Sequence, residues 1–162
     1  MVDIIHLERE IAVAPQLVEA DFAAIAERGF RSIVAIRPDG EAPDQLPHAQ
    51  AATAAQRHGL AFRYHPVSSV KAIDDETVEI FARFMDDLPG PILFYCGTGT
   101  RCTILWSQAA AARLGVNATL AVARDAGYEL EFLRDILRER GNWFGAVPTP
   151  VAAPANACGG AL

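Results

Sequence analysis

Pro91-Ile92-Leu93-Phe94-Tyr95 runs without a break into Cys96-Gly97-Thr98-Gly99-Thr100-Arg101, and a helical pattern follows from about Arg101 to Leu114. The first five residues form the most apolar strand candidate in the chain. A short continuous apolar run signals burial on both faces, so this strand is predicted to lie centrally in a parallel sheet. Gly115 then stands as the helix stop.

Working outward, the same alternation recurs. Leu17 to Arg28 places Leu17, Phe22 and Ile25 at helical spacing before Gly29, and Phe30 to Ile36 reads as a buried strand ending in the turn Arg37-Pro38-Asp39-Gly40. Pro47 to His58 reads as a helix closed by Gly59, and Leu60 to His65 as another strand. Asp74 or Asp75 is placed to cap a third helix, with Val78, Phe81, Ala82 and Met85 on one face, before Pro89-Gly90-Pro91 ends it. Leu120 to Arg140 reads as one or two further helices around Gly127. The fold class expected is α/β: a central, mostly parallel sheet flanked by helices. Residues 1–140 are predicted to form one domain, and the Pro-, Ala- and Gly-rich stretch 141–162 an irregular or partly disordered tail.

Composition narrows the function classes. A formal charge of -6 with scattered Lys and Arg offers no basic stripe for a nucleic-acid backbone. No apolar run approaches the length of a membrane span and the start MVDIIHLERE lacks the build of a signal peptide, so the expected location is the cytoplasm, with neither nucleic acid nor membrane as partner. Three cysteines, Cys96, Cys102 and Cys158, lack paired metal-ligand spacing and the four histidines are dispersed, which argues against zinc and against a disulfide framework. No metal or cofactor is implied.

The chemistry concentrates in the loop after the central strand. Gly97 and Gly99 let the backbone curl so that amide hydrogens converge, the following helix adds partial positive charge, and Arg101 supplies a planar fork of donors. An oxyanion fits such a nest, with Gly97, Thr98, Gly99 and Thr100 as its binding frame and Arg37 as a second anion contact. The same field favours the thiolate of Cys96, which makes it a candidate nucleophile. Asp39 and Glu41, after one strand, and Asp74 and Asp75, after another, are the carboxylates available as a proton donor. Asp39 is the first choice. His65 points toward the same sheet edge. Cys102 reads as a packed thiol, with a reversible disulfide to Cys96 as the alternative.

Val13-Ala14-Pro15-Gln16-Leu17, Gly29-Phe30-Arg31-Ser32-Ile33, Arg37-Pro38-Asp39-Gly40-Glu41, His65-Pro66-Val67, the Cys96 to Arg101 loop and Ala126-Gly127-Tyr128 together resemble the cysteine-based phosphatases. Over residues 8–140 the likeness is to the bacterial phosphatase-like family related to the amino-terminal domain of beta-lactamase-hydrolase-like proteins. It implies a dual-specificity-phosphatase-like fold, Cys96 as nucleophile, Arg101 as phosphate clamp and a phosphocysteine intermediate. Two departures stand out. Four residues separate Cys96 from Arg101 where protein phosphatases have five, a spacing similar to that of rhodanese sulfurtransferases, whose cysteine carries a persulfide. Cys102 occupies a position where the superfamily often has a hydroxyl. The substrate is thus expected to bear a phosphate or to donate sulfur, with a non-catalytic phosphate-binding module as a third reading.

Overall fold

The computed structural model describes residues 1–145, with the side chains of 143–145 left aside. Five strands form one sheet: β1 (Ile5–Glu8), β2 (Ile11–Ala14), β3 (Ser32–Ala35), β4 (Ala61–Tyr64) and β5 (Ile92–Tyr95), in the spatial order β1-β2-β5-β3-β4. β1 and β2 make an antiparallel hairpin, and every other pairing is parallel. The apolar run 92–95 therefore is central, between β2 and β3, and all four of its residues are buried.

Alternation along the strands divides the interior into two layers. Ile92 and Phe94 share one layer with Val13 and Val34, beneath α3 (Asp75–Asp87), α4 (Thr100–Leu114), α5 (Val116–Asp125) and α6 (Arg134–Gly145). Leu93 and Tyr95 face the other layer with Ala12, Ile33 and Ala35, against α1 (Asp21–Glu27) and α2 (His48–Arg57). Phe81 of α3 stacks on Phe94 with ring centroids 4.2 Å apart, a geometry contributing about 0.5–1.5 kcal/mol beyond the area buried. Continuing the same alternation, Cys96 falls on the α4 side.

α4 is buried over much of its surface, including Trp106, Ser107 and Gln108, and its polar groups are matched. Ser107 donates to the Ile104 carbonyl at 2.7 Å, and Arg140 donates to Gln108 at 3.2 Å. The Trp106 indole donates to Glu8 at 2.7 Å, and Arg113 reaches the same oxygen at 2.7 Å, tying α4 to the amino-terminal hairpin. Gly141 faces Ala111, so α6 lies close along α4.

Several boundaries differ from expectation. The hairpin β1–β2 was not foreseen, because each strand has only four residues and β2 is buried throughout, leaving no alternation to read. Helix α1 begins at Asp21: the Asp21 carboxylate accepts from the Val18 amide at 2.8 Å, which forms a turn there, and buried Leu17 precedes it in a loop. The helix expected to end at Arg140 runs to Gly145, so the compositional change at 141 lies inside a helix. The rest of the expected tail, including Cys158, lies outside the described residues. Asp74 caps α3 as expected, accepting from the Thr77 amide at 2.8 Å, while Asp75 pairs with Arg140. Among the described residues no helix is long and apolar enough to cross a membrane.

Candidate active site

The four parallel strands end on one edge, the edge at which α/β proteins bind ligands, and the segments leaving them converge on the loop after β5. The Cys96 amide donates to the Ala14 carbonyl and the Gln16 amide to the Gly97 carbonyl, both at 3.3 Å, so the β2–β5 ladder continues past the strands into the loop. On the other side Ile36 donates to the Tyr95 carbonyl at 2.9 Å. Tyr128, beyond α5, donates from its hydroxyl to the Thr98 carbonyl at 3.1 Å. Gly99 has φ +87°, and a Cβ there would collide with the Tyr128 hydroxyl, so both the turn and the close approach require glycine.

Cys96 is 1% exposed, yet its sulfur is surrounded by donors. The Gly99 amide donates to Sγ at 3.1 Å. A side-chain hydrogen bond from Cys102 does most to draw the Cys96 thiol down to about 5; burial opposes it, and the amides of Cys102, Thr98 and Gly99 add to it. Cys102 moves the opposite way: full burial, then its contact with Cys96, holds it as a thiol well above its ordinary range. The pair is thus a thiolate and its donor. Neither cysteine is in a disulfide. Thr103 cannot take the place of Cys102, because its hydroxyl is committed to the Gly99 carbonyl at 2.8 Å.

Arg101 and Arg37 meet over Gly97: a Cβ on Gly97 would lie 3.4 Å from Nη2 of Arg101 and 3.7 Å from Nε of Arg37. Both guanidinium groups hold one carboxylate. Arg101 donates to Glu41 through Nη1 at 3.0 Å and Nη2 at 2.7 Å, and Arg37 donates through Nε at 3.2 Å. Arg101 is fixed further by the Val67 carbonyl at 2.8 Å, and Arg37 by Gln16 at 3.1 Å. The hydrogen bonds from Arg101 hold Glu41 below the usual carboxylate range against a smaller opposing effect of burial; the charges of Arg101 and Arg37 add to them.

Of the residues singled out in the sequence, Cys96, Gly97, Thr98, Gly99, Thr100, Arg101 and Arg37 are brought together. The hydroxyls of Thr98 and Thr100 pair with each other at 2.9 Å. Asp39 is held by the start of α2. Its Oδ1 accepts from the His48 amide at 2.8 Å, Oδ2 meets His48 Nδ1, and the His48 ring stacks on Tyr64 with centroids 3.8 Å apart. Slight desolvation pushes the Asp39 carboxyl up, but the hydrogen bonds from the His48 amide and ring outweigh it and leave the group below its ordinary range. His65 packs edge-on against Phe84, and burial lowers its basicity. Gln16, Val67 and Tyr128 received no place at the loop from residue-level reasoning, and Glu41 entered it only as a carboxylate available to donate a proton. The signal for them was present, since each belongs to a segment that carried the family likeness.

Among the described residues no cluster of His, Cys, Asp and Glu is arranged to hold a metal ion. The architecture is that of the tyrosine and dual-specificity phosphatases, and residues 3–113 match the family described as "Beta-lactamase hydrolase-like protein, phosphatase-like domain", to which this chain belongs. A beta-lactamase hydrolase-like protein of Xylella fastidiosa strain Temecula1 is 34% identical over 104 residues, covering 64% of this chain and 24% of that protein. The chain thus spans about a quarter of the length of the curated relatives it matches. A provisionally assigned phosphatase of Neisseria meningitidis, known from a crystal structure, is 34% identical with a TM-score of 0.76, covering 85% of this chain and 97% of that one. P. aeruginosa TpbA in complex with pTyr shares the fold at 14% identity and TM-score 0.59, covering 86% and 90%.

Proposed function

We propose that this chain hydrolyses phosphoric monoesters through a phosphocysteine on Cys96. The observation that carries the reading is a buried cysteine whose sulfur accepts from the Gly99 amide at 3.1 Å, in a loop where Arg101 and Arg37 meet over Gly97. The Cys96 thiolate attacks phosphorus as the ester oxygen departs with a proton, and loop amides with Arg101 stabilise the charge on the remaining oxygens. Water then attacks phosphorus, releasing inorganic phosphate and the thiolate. Cys102 donates to that thiolate. Asp39, on the loop after β3, is assigned the leaving-group proton. Membership of a phosphatase-like family supports this reading, as does the likeness in fold to a protein solved with pTyr. The test is turnover of an aryl phosphate by the wild type and its absence in Cys96→Ser, with phosphate on Cys96 found by mass spectrometry after acid quenching. Inactivity of both proteins across a broad panel of phosphate esters defeats the proposal.

The four-residue gap between Cys96 and Arg101 favours a second reading, sulfur transfer. Attack of the thiolate on the outer sulfur of thiosulfate gives a Cys96 persulfide and sulfite, and cyanide then removes the sulfur as thiocyanate. Thiocyanate formation dependent on Cys96 supports this reading, and its absence, with no persulfide on Cys96, removes it. Tight phosphate binding without turnover in either assay identifies a binding module.

A further inference from the structure

Tyr128 has no part in the phosphoryl transfer, and it lies outside residues 3–113, over which the family match runs; yet its hydroxyl donates to the Thr98 carbonyl at 3.1 Å. That carbonyl and the Gly99 amide belong to one peptide unit. The unit is trans, so its C=O and N–H point in opposite directions. Tyr128 holds the oxygen end, and the N–H end donates to Cys96 Sγ at 3.1 Å. Turning the unit over would bring a carbonyl oxygen toward the thiolate in place of a donor. Gly99, at φ +87°, gives little resistance to such a turn, because glycine populates both signs of φ about as readily. The next peptide unit is fixed by α4, whose Thr103 amide and hydroxyl donate to the Gly99 carbonyl at 3.0 and 2.8 Å.

We propose that Tyr128 is a positioning residue: by holding the Thr98 carbonyl it keeps the Thr98–Gly99 peptide turned so that the Gly99 amide donates to the Cys96 sulfur. This deepens the proposed function and rests on it only for the consequence to turnover. The ring and the peptide are in direct contact, since a Cβ on Gly99 would collide with the Tyr128 hydroxyl. The hydroxyl keeps its proton, because burial, then the charge of Cys96, pushes its ionisation above the ordinary phenol range. The charged and titratable groups around the sulfur are Cys102 and Arg101 of α4, Tyr128 beyond α5, and Arg37 of the loop after β3, which meets Arg101 over Gly97. Cys102 donates to the sulfur directly and the arginines supply charge. Tyr128 acts through the backbone, so losing its hydroxyl weakens one donor and changes no charge.

The experiment is ultraviolet thiolate absorbance against pH on the full chain in a Cys158→Ser background, with and without Tyr128→Phe, which deletes the hydroxyl and keeps the ring. Outright loss of a hydrogen bond to a charged group shifts a midpoint by about one to two pH units, and the freed peptide still spends part of its time in the productive turn. The Cys96 midpoint is therefore expected to rise by about one unit. Hydrolysis of an aryl phosphate carries the same signature: relative to the parent, kcat/KM is expected to fall about fivefold near pH 5 and less than about twofold near pH 7.5. A fall equal at both pH values is that of a loosened fold and counts against the proposal. In the unaltered chain, where no variant can misfold, the Gly99 amide proton followed by NMR is expected to shift with the Cys96 midpoint. A Cys96 midpoint unmoved in Tyr128→Phe, or a Gly99 amide indifferent to the ionisation of Cys96, overturns the proposal and leaves the phosphatase reading standing. A shifted midpoint with no phosphate ester hydrolysed by the wild type supports the role of Tyr128 and defeats the phosphatase reading alone.

Discussion

Replacing Cys102 by alanine tests the electrostatics of the loop most directly. In the folded protein the Cys96 thiol falls from 9.0 to about 5. At about 1.4 kcal/mol per pH unit this is about 5 kcal/mol of preference for the thiolate. The hydrogen bond from Cys102 is its largest source, and a hydrogen bond to a charged group is worth about 1.5–3 kcal/mol. Cys102→Ala is therefore expected to raise the Cys96 midpoint by about one to two pH units, the loop amides retaining the remainder. Cys102→Ser, which keeps a donor of similar reach, is expected to stay within about half a unit of the wild type. Because the sulfur is buried, the assay is ultraviolet thiolate absorbance against pH, which needs no reagent to enter. Both variants are made in a Cys158→Ser background so that the third thiol is silent. If the midpoint in Cys102→Ala coincides with that of the parent, the thiol is only a packing group and the amides alone make the anion.

The same titration must appear in stability. Between about 5 and 9 the folded state holds Cys96 as thiolate while the unfolded chain keeps its proton, so the unfolded state binds more protons and stability rises with pH. Denaturant unfolding is expected to show the wild type gaining on Cys96→Ser by up to about 1.4 kcal/mol per pH unit across that window, with the gain lost as pH falls through about 5; parallel curves would contradict it. Gly99→Ala is expected to cost about 2 kcal/mol or more, from left-handed backbone plus collision with Tyr128, and adding Tyr128→Phe should return part of that loss in urea melts. Glu8→Ala leaves the buried Trp106 indole without its acceptor and is expected to cost about 1–3 kcal/mol, with the Cys96 midpoint unmoved.

The sheet was legible where burial was two-sided. The run Ile92 to Tyr95 announces a central strand because no polar residue interrupts it, and the stops at Gly29, Gly59 and Gly115 all carry positive φ in the structure. The hairpin β1–β2 escaped because four residues carry too little periodicity to tell strand from loop. Within the site, local chemistry pointed to Cys96, Arg101 and Arg37, since a nucleophile and its cations advertise themselves by residue type. Partner choice did not. Asp39 and Glu41 are two residues apart on one loop and look equivalent in sequence, yet one turns to the start of α2 and the other to the arginines. That division depends on where His48 and Arg101 arrive from distant parts of the chain, information that neither propensity nor spacing contains.

The hydrogen bonds from Cys96 to Ala14 and from Gln16 to Gly97 make the amino-terminal hairpin one wall of the reactive centre. Any force or binding event that peels β2 from β5 would therefore disarm the sulfur before it unfolded the domain, giving the first fourteen residues a say in reactivity although none of them carries a reacting atom.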